Sequence, residues 1–298
     1  MTGTLYVVAT PIGNLEDITF RAVRVLNEVD WIAAEDTRHT GKLLHHFQVK
    51  TPQLSYHEHN RTQRLPELLD KLQQGRAIAL VTDAGMPGIS DPGYELVKAC
   101  TEVGIVVVPV PGASAGVTAL SAAGLPSDRF VFEGFLPAKG KERRDRLETL
   151  ATEPRTIVLY EAPHRLRQTL ADLMTALGSG RAIVAARELT KLHEEFWRGT
   201  LAAAVAEFGD RTPQGEFTLV IAGHQTETRP LSEADLRAEL TRLLRQGVSR
   251  SVASRDLAQH AAMPRRQIYQ LALSIPDETI QAPSVAPLPR DEVSEDSE

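Results

Sequence analysis

Four short apolar runs, Leu5-Tyr-Val-Val-Ala9, Trp31-Ile-Ala-Ala34, Ala77-Ile-Ala-Leu-Val-Thr82 and Ile105-Val-Val-Val-Pro-Val110, constrain this chain more than anything else in it. Helical patterns around Thr19–Asn27, over Arg61–Gln74 and from Tyr94 onward separate them. A continuous apolar run too short for a helix and bounded by turn residues is a strand buried on both faces. Strands that alternate with helices build a mostly parallel sheet. Parallel strands carry their carboxyl ends to one edge. The loops after residues 9, 34, 82 and 110 are therefore expected to converge, at the edge where open α/β sheets bind ligands.

Those loops are unusual in composition. Asp83-Ala-Gly-Met-Pro-Gly-Ile-Ser-Asp-Pro-Gly93 holds three glycines and two prolines in eleven residues. Glycine permits positive φ and close approach of backbone to a ligand, and proline stiffens the chain. Thr10-Pro-Ile-Gly-Asn14 and Pro111-Gly-Ala-Ser-Ala-Gly116 repeat the pattern. No G-x-G-x-x-G follows the first strand, so a standard dinucleotide fold is not supported.

The pattern changes between about residues 112 and 126. A basic run, Lys139-Gly-Lys-Glu-Arg-Arg-Asp-Arg146, precedes a strand at Thr156–Tyr160, a helix from Pro163 and a strand at Ala182–Ala186. Strand-like segments at Glu195–Arg198 and Phe217–Ala222 complete a second α/β domain. After Thr228, Ser232-Glu-Ala-Asp235 resembles a capping box, followed by Leu236, Leu240, Leu243 and Leu244 at helical spacing. Two short helices near Val252–His260 and Pro264–Leu273 give a helix-turn-helix-like unit, with Pro264 expected in the first turn of the last helix. The expected organisation is an N-terminal α/β domain (1–120), a second α/β domain (121–226), a helical unit (230–275) and an acidic tail (276–298).

The net charge of −6 lies entirely in that tail, which holds seven acids and one arginine. Its four prolines and few apolar residues predict disorder. Residues 230–275 carry seven arginines against four acids. A nucleic-acid partner therefore fits, given clustered bases. The single cysteine, Cys100, excludes an internal disulfide and suits a reducing cytoplasm. No secretory signal and no membrane-spanning apolar run is evident.

Taken together, Thr10-Pro-Ile-Gly-Asn-Leu15, Glu35-Asp-Thr-Arg38, the 83–93 loop and Val110-Pro-Gly-Ala-Ser-Ala115 resemble the tetrapyrrole-methylase superfamily of two-domain methyltransferases. Tyr160-Glu-Ala-Pro-His-Arg165, Arg187-Glu-Leu-Thr-Lys191, His193-Glu-Glu195 and Gly215-Glu-Phe-Thr-Leu219 narrow the resemblance to its branch acting on the ribose 2′-hydroxyl of a cytidine in the decoding centre of 16S ribosomal RNA. The resemblance covers residues 4 to about 223, with a helical C-terminal unit beyond. It implies an α/β tetrapyrrole-methylase-like fold, S-adenosyl-L-methionine in a cleft between the two domains, and a homodimer. It implies cofactor contacts at Pro11, Asp83, Gly85, Pro87, Gly88, Ser114 and Ala115 from the first domain. From the second it implies Ala162, Leu189, Glu216 and Thr218.

Methyl transfer to a hydroxyl needs alignment and a base, and neither a metal nor a covalent intermediate. Asp36, Glu161 and Lys191 are the candidate bases or supporting groups, and the sequence does not choose among them. Asp36 is equally suited to pair with Arg38, and Glu161 to cap the helix from Pro163. Lys191 needs a pKa lowered by burial. Lys139, Lys141, Arg143, Arg144, Arg265 and Arg266 are candidate RNA contacts. Three rival functions compete. One is a serine hydrolase using Gly112-Ala-Ser-Ala-Gly116 with His164. The others are a tetrapyrrole methyltransferase and a DNA-binding regulator. His57 and His59 lack the further ligands a metal site needs.

Overall fold

The computed structural model describes residues 2–225, 232–258, 261 and 263–276. The acidic tail lies outside them except for Pro276. Two compact units are present, Met1–His224 and Gln225–Glu298.

The first unit opens with β1 (Thr4–Val8), α1 (Phe20–Glu28), β2 (Trp31–Ala34), α2 (Thr37–His46) and β3 (Gln53–Ser55). It continues through α3 (Arg61–Gln73), β4 (Ile78–Val81), α4 (Tyr94–Glu102), β5 (Val106–Val110) and α5 (Ala115–Ala123). The five strands form one parallel sheet in the order β3-β2-β4-β1-β5. Its central strands are covered on both faces, which explains their continuous apolar sequences. Val8, Ile32 and Val81 pack with α1 residues on one face, and Leu5, Ala33 and Leu80 with α3 and α4 residues on the other. Cys100 belongs to the second of these clusters.

A second sheet follows from β6 (Phe130–Phe135), α6 (Gly140–Ala151), β7 (Thr156–Glu161), α7 (Pro163–Leu177) and β8 (Ala182–Arg187). β9 (Glu195–Thr200), α8 (Leu201–Asp210) and β10 (Phe217–Ile221) complete it. The strand order is β6-β7-β10-β8-β9, parallel only between β6 and β7. Leucines of α6 and α7 and Phe208 of α8 cover one face. The other face is covered by α5: Ala119, Leu120 and Ala123 share a core with Val158, Val184 and Val220. Ile12 and Leu189 join that core, so the loop after β1 and the loop after β8 are anchored in the same apolar cluster.

The second unit contains α9 (Glu233–Arg245), α10 (Arg250–Ala258) and α11 (Arg265–Leu273) around Leu236, Leu240, Ile268 and Leu271. The capping box is formed. Ser232 Oγ accepts the Asp235 N–H, and Asp235 Oδ2 accepts the Ser232 N–H, each at 3.1 Å. Pro264 is the N-cap of α11 rather than a first-turn residue, one position earlier than its sequence predicts.

Candidate active site

The loops after β1, β4 and β5 meet residues of the second sheet around a cavity of about 350 Å³. Backbone bonds join the first two loops: Thr10 N–H donates to Gly85 O at 2.9 Å and Gly85 N–H to Thr10 O at 3.1 Å. Gly85 adopts φ +92°, a conformation that strains any side chain. At the start of α5, the Gly116 N–H donates to the Tyr160 hydroxyl at 3.0 Å, tying the helix N-terminus to β7. A methyl group at Gly116 would press on Phe132 and on that hydroxyl, both at 3.4 Å.

Non-glycine residues in the left-handed region are rare. Three of the four found among the described residues, Ser90, Glu188 and Thr190, stand on or beside the cavity wall. Such strain persists where surrounding structure holds it, and the structure shows the hold. Glu188 Oε1 accepts both the Lys191 ammonium at 2.8 Å and the Glu216 N–H at 3.0 Å, and Glu216 Oε2 accepts Lys191 at 2.9 Å.

Seven of the residues expected at a cofactor line the cavity: Gly85, Ser114, Ala115, Ala162, Leu189, Glu216 and Thr218. Pro11 and Asp83 line a neighbouring cavity instead, and Pro87 and Gly88 line neither. Of the candidate bases, only Glu161 reaches the cavity wall. It is buried and already engaged, accepting the Thr169 hydroxyl at 2.5 Å, the Ala162 N–H at 2.9 Å and an Arg165 ion pair at 3.3 Å. Ala162 is the N-cap of α7 and its own side chain makes no capping bond, so the carboxylate of Glu161 meets that helix end at the N-cap N–H.

Asp36 caps α2 and pairs with Arg38 at 2.8 Å. Hydrogen bonds from the Arg38 side chain and backbone hold its carboxyl far below the usual carboxylate range. Lys191 corrects a second expectation. Burial alone would lower its pKa, but hydrogen bonds to Glu188 and Glu216 and their charges outweigh burial and raise it above the ordinary lysine value. It stands as a structural cation on the rim.

Asp91 was not singled out by sequence, although it lies in the 83–93 loop. It lines the cavity, and burial together with the charges of Glu35, Asp83 and Glu216 pushes its carboxyl up to about 7. Tyr160 and Phe135 add aromatic wall that sequence reasoning also missed, and Phe217 adds more from between the expected Glu216 and Thr218. The lining therefore holds three carboxylates (Asp91, Glu161, Glu216), three aromatic rings and no lysine, arginine or histidine. Glu161 and Glu216 are each ion-paired from outside the lining, to Arg165 and Lys191, which leaves Asp91 as the lining carboxyl turned to a ligand. An apolar, aromatic cavity with carboxyls and no base in its lining suits a ligand that joins a flat ring to a cation, and disfavours phosphates. S-adenosyl-L-methionine, with its adenine and sulfonium, fits that description.

The basic run divides. Lys139, Lys141 and Arg144 are exposed on or beside the first turns of α6. Arg143 is only 7% exposed and is not an RNA contact: it donates to Asp172 at 2.8 Å, to the Thr169 hydroxyl at 3.0 Å and to Pro137 O at 2.9 Å. Helical periodicity turns that one position of the run inward. Arg265 and Arg266 are exposed in the first turn of α11.

Ser114 lacks the strained turn of a hydrolase nucleophile. It is the extended N-cap of α5, its hydroxyl bonds Tyr160, and His164 is exposed on α7. The His57 and His59 rings pack edge to face at 5.9 Å. No cluster of three or more potential metal-ligating His, Cys, Asp or Glu residues is found among the described residues. Among them, no helix is long and apolar enough to cross a membrane.

Residues 4–205 match the family of tetrapyrrole (corrin/porphyrin) methylases. A protein of Synechocystis sp. named ribosomal RNA small subunit methyltransferase I is 62% identical over 274 residues, covering 92% of this chain and 98% of its own length. The protein of the same name from Escherichia coli O157:H7 is 50% identical, covering 91% and 95%. In fold, the chain resembles the uroporphyrin-III C-methyl transferase of Thermus thermophilus complexed with S-adenyl homocysteine, with a TM-score of 0.53 and 20% identity. That likeness covers 73% of this chain and 97% of the other. Diphthine synthase has a TM-score of 0.58 at 13% identity, covering 74% and 91%. A shared architecture and close relatives over nearly the whole length lead to one conclusion: the chain belongs to the tetrapyrrole (corrin/porphyrin) methylase family and, within it, to the ribosomal RNA small subunit methyltransferase I group.

Proposed function

We propose that the chain is an S-adenosyl-L-methionine-dependent methyltransferase that modifies the ribose 2′-hydroxyl of a cytidine in the decoding centre of 16S ribosomal RNA. The observation that carries the chemistry is the cavity itself, acidic, aromatic and without a basic side chain, at the carboxyl edge of a parallel sheet. The choice of RNA is supported by the names of the close relatives and by the exposed bases of α6 and of the arginine-rich helical unit.

When bound, the cofactor supplies the methyl group as a sulfonium. Phe135, Tyr160 and Phe217 are placed to pack the adenine, and the Glu188–Lys191–Glu216 lock keeps the Leu189 and Thr218 walls in position. Asp91 has two parts. Its carboxylate would attract the positive charge of a bound sulfonium, and it would take the proton that the 2′-hydroxyl gives up when it receives the methyl group. A base with a pKa near the working pH is best matched to that task. Glu161, engaged on both oxygens, positions the wall rather than moving a proton. Lys139, Lys141 and Arg144 on α6 and Arg265 and Arg266 on α11 dock RNA phosphates. The division of labour follows residues 1–120 and 121–226 for the cofactor and 230–275 for RNA. We place the enzyme in the cytoplasm as a homodimer, for which the exposed Phe20 and Leu192 offer apolar contact surface.

Calorimetric titration with S-adenosyl-L-methionine tests the cavity. The wild-type chain is expected to bind one equivalent. A Gly85→Arg variant, whose circular dichroism verifies folding, is expected to lose binding, because its side chain occupies the cavity. Wild-type binding that survives Gly85→Arg unchanged places the cofactor elsewhere.

A further inference from the structure

The helical unit holds seven arginines between residues 230 and 275, and most are engaged. Arg237, Arg242 and Arg255 lie 3.8, 2.5 and 3.5 Å from carboxylate oxygens of Glu233, Glu239 and Asp256. Arg250 donates to Ala272 O at 3.1 Å and to Ile275 O at 3.2 Å. Arg265 and Arg266 differ. Both are exposed on α11, and neither is ion-paired among the described residues. Arg265 Nη2 donates to Ser251 Oγ at 3.4 Å, and Ser251 and Tyr269 join the two arginines around an open concavity of about 450 Å³. No carboxylate lines it. Two guanidinium groups held side by side without a carboxylate suit a chain that bears carboxylates or phosphates, because the guanidinium fork matches both.

The same chain carries such a segment. Asp291-Glu-Val-Ser-Glu-Asp-Ser-Glu298 places five acids and no base in eight residues. Fourteen residues, 277–290, join it to Pro276, where the described part of the helical unit ends. A spacer of that length reaches roughly 20 Å as a coil and about 43 Å as polyproline II. The nine residues of α11 extend only about 14 Å, so the acidic octad is within reach of the arginines at the far end of that helix. We propose that residues 291–298 dock on Arg265 and Arg266 and act as a built-in competitor for the anion that this surface receives from outside. A tether whose reach matches the span holds its octad at a millimolar effective concentration, so even a weak contact is populated. The consequence for RNA rests on the docking role given to Arg265 and Arg266 above. RNA must displace the octad, which a short strand offering few phosphates does poorly and a folded ribosomal RNA offering many does well. The tail thus sets a threshold against non-specific RNA.

The test uses the full chain and a full-length variant, Asp291→Asn/Glu292→Gln/Glu295→Gln/Asp296→Asn/Glu298→Gln. A fluorescently labelled peptide of residues 277–298 is titrated with each at low ionic strength. The neutralised variant is expected to bind the peptide about two- to tenfold more tightly than the wild type, whose own octad holds the site. Adding Arg265→Ala and Arg266→Ala to the neutralised variant, with folding verified by circular dichroism, is expected to abolish peptide binding. Equal binding by wild type and neutralised variant, or binding that survives loss of the two arginines, overturns the proposal. A short single-stranded RNA then replaces the peptide. The neutralised variant is expected to bind it about two- to tenfold more tightly than the wild type, by the same competition. Equal RNA affinity overturns the competitor role. Peptide that docks on the two arginines while neither chain binds RNA upholds the tail contact and removes the RNA-docking reading of those residues, so the two failures are distinguishable.

Discussion

Asp91 is the residue on which chemistry and stability meet. Its carboxyl sits at about 7 in the folded chain against 3.8 for an unperturbed aspartate. Between those values the native state holds a proton that the unfolded chain has released. The stabilising contribution is therefore whole below about pH 4 and is lost as pH rises through 7. Asp91→Asn is expected to match the wild-type thermal midpoint near pH 4 and to exceed it at pH 8; equal midpoints at both would show that the carboxyl is not perturbed. In the wild type, kcat/KM is expected to climb across pH 7, and in the variant to be flat and lower by about 10² to 10⁴. Little of this was legible beforehand. Asp91 is one of two aspartates in a loop whose glycines and prolines drew attention. What distinguishes it from Asp83 is burial beside three other carboxylates, which sequence does not display. Lys191 failed in the opposite direction, since its two glutamate partners stand 3 and 25 positions away and only the second demands a fold.

At the scale of elements, alternation of apolar runs with helical patterns located β1, β2, β4, β7, β8 and β10, whose sequences obey the rule for buried strands, and the strand-like segment from Glu195 located β9. β5 was located by its apolar run but is not buried on both faces: it is the edge strand of its sheet, with Val106 and Pro109 exposed and only Val110 buried. β3 is three residues long and β6 carries a register shift at Phe132–Gly134, so neither shows a clean period. α2 begins Thr37-Arg-His-Thr-Gly and lacks an apolar stripe in its first turn, and its helix was missed for that reason. α6 shows the cost of reading charge without period. Its basic run conceals Arg143, whose bonds to Asp172, Thr169 and Pro137 join α6 to α7 and, through Thr169, to Glu161 on the cavity wall. Removing one member of such a buried pair leaves the other unpaired. Arg143→Ala is expected to lower unfolding free energy by about 3 kcal/mol, measured by denaturant titration, with no loss of RNA affinity in the molecules that remain folded. An effect on RNA affinity without loss of stability would return Arg143 to the RNA surface.

Across the Met1–His224 unit, the cofactor cavity depends on α5. The helix follows the first sheet in sequence and packs on the second, so Ala119, Leu120 and Ala123 join the two halves in one core. That crossing explains why the change in sequence pattern near residues 112–126 marks a change of sheet without separating two independent bodies. The edge-of-sheet rule anticipated the convergence of loops, and seven of eleven expected cofactor contacts line the cavity. Pro11 and Asp83 fell on the far side of the Thr10–Gly85 bridge because adjacent residues of an extended loop point to opposite faces, which a motif does not reveal. The measurement that tests the whole account most directly is methyl transfer itself. The purified chain would be incubated with radiolabelled S-adenosyl-L-methionine and small subunits lacking the modification, and the RNA digested and mapped by mass spectrometry. The account predicts label in a single 2′-O-methylcytidine of the decoding centre, dependent on Asp91. Label on a base, on protein or nowhere, from a chain that binds the cofactor, would contradict it.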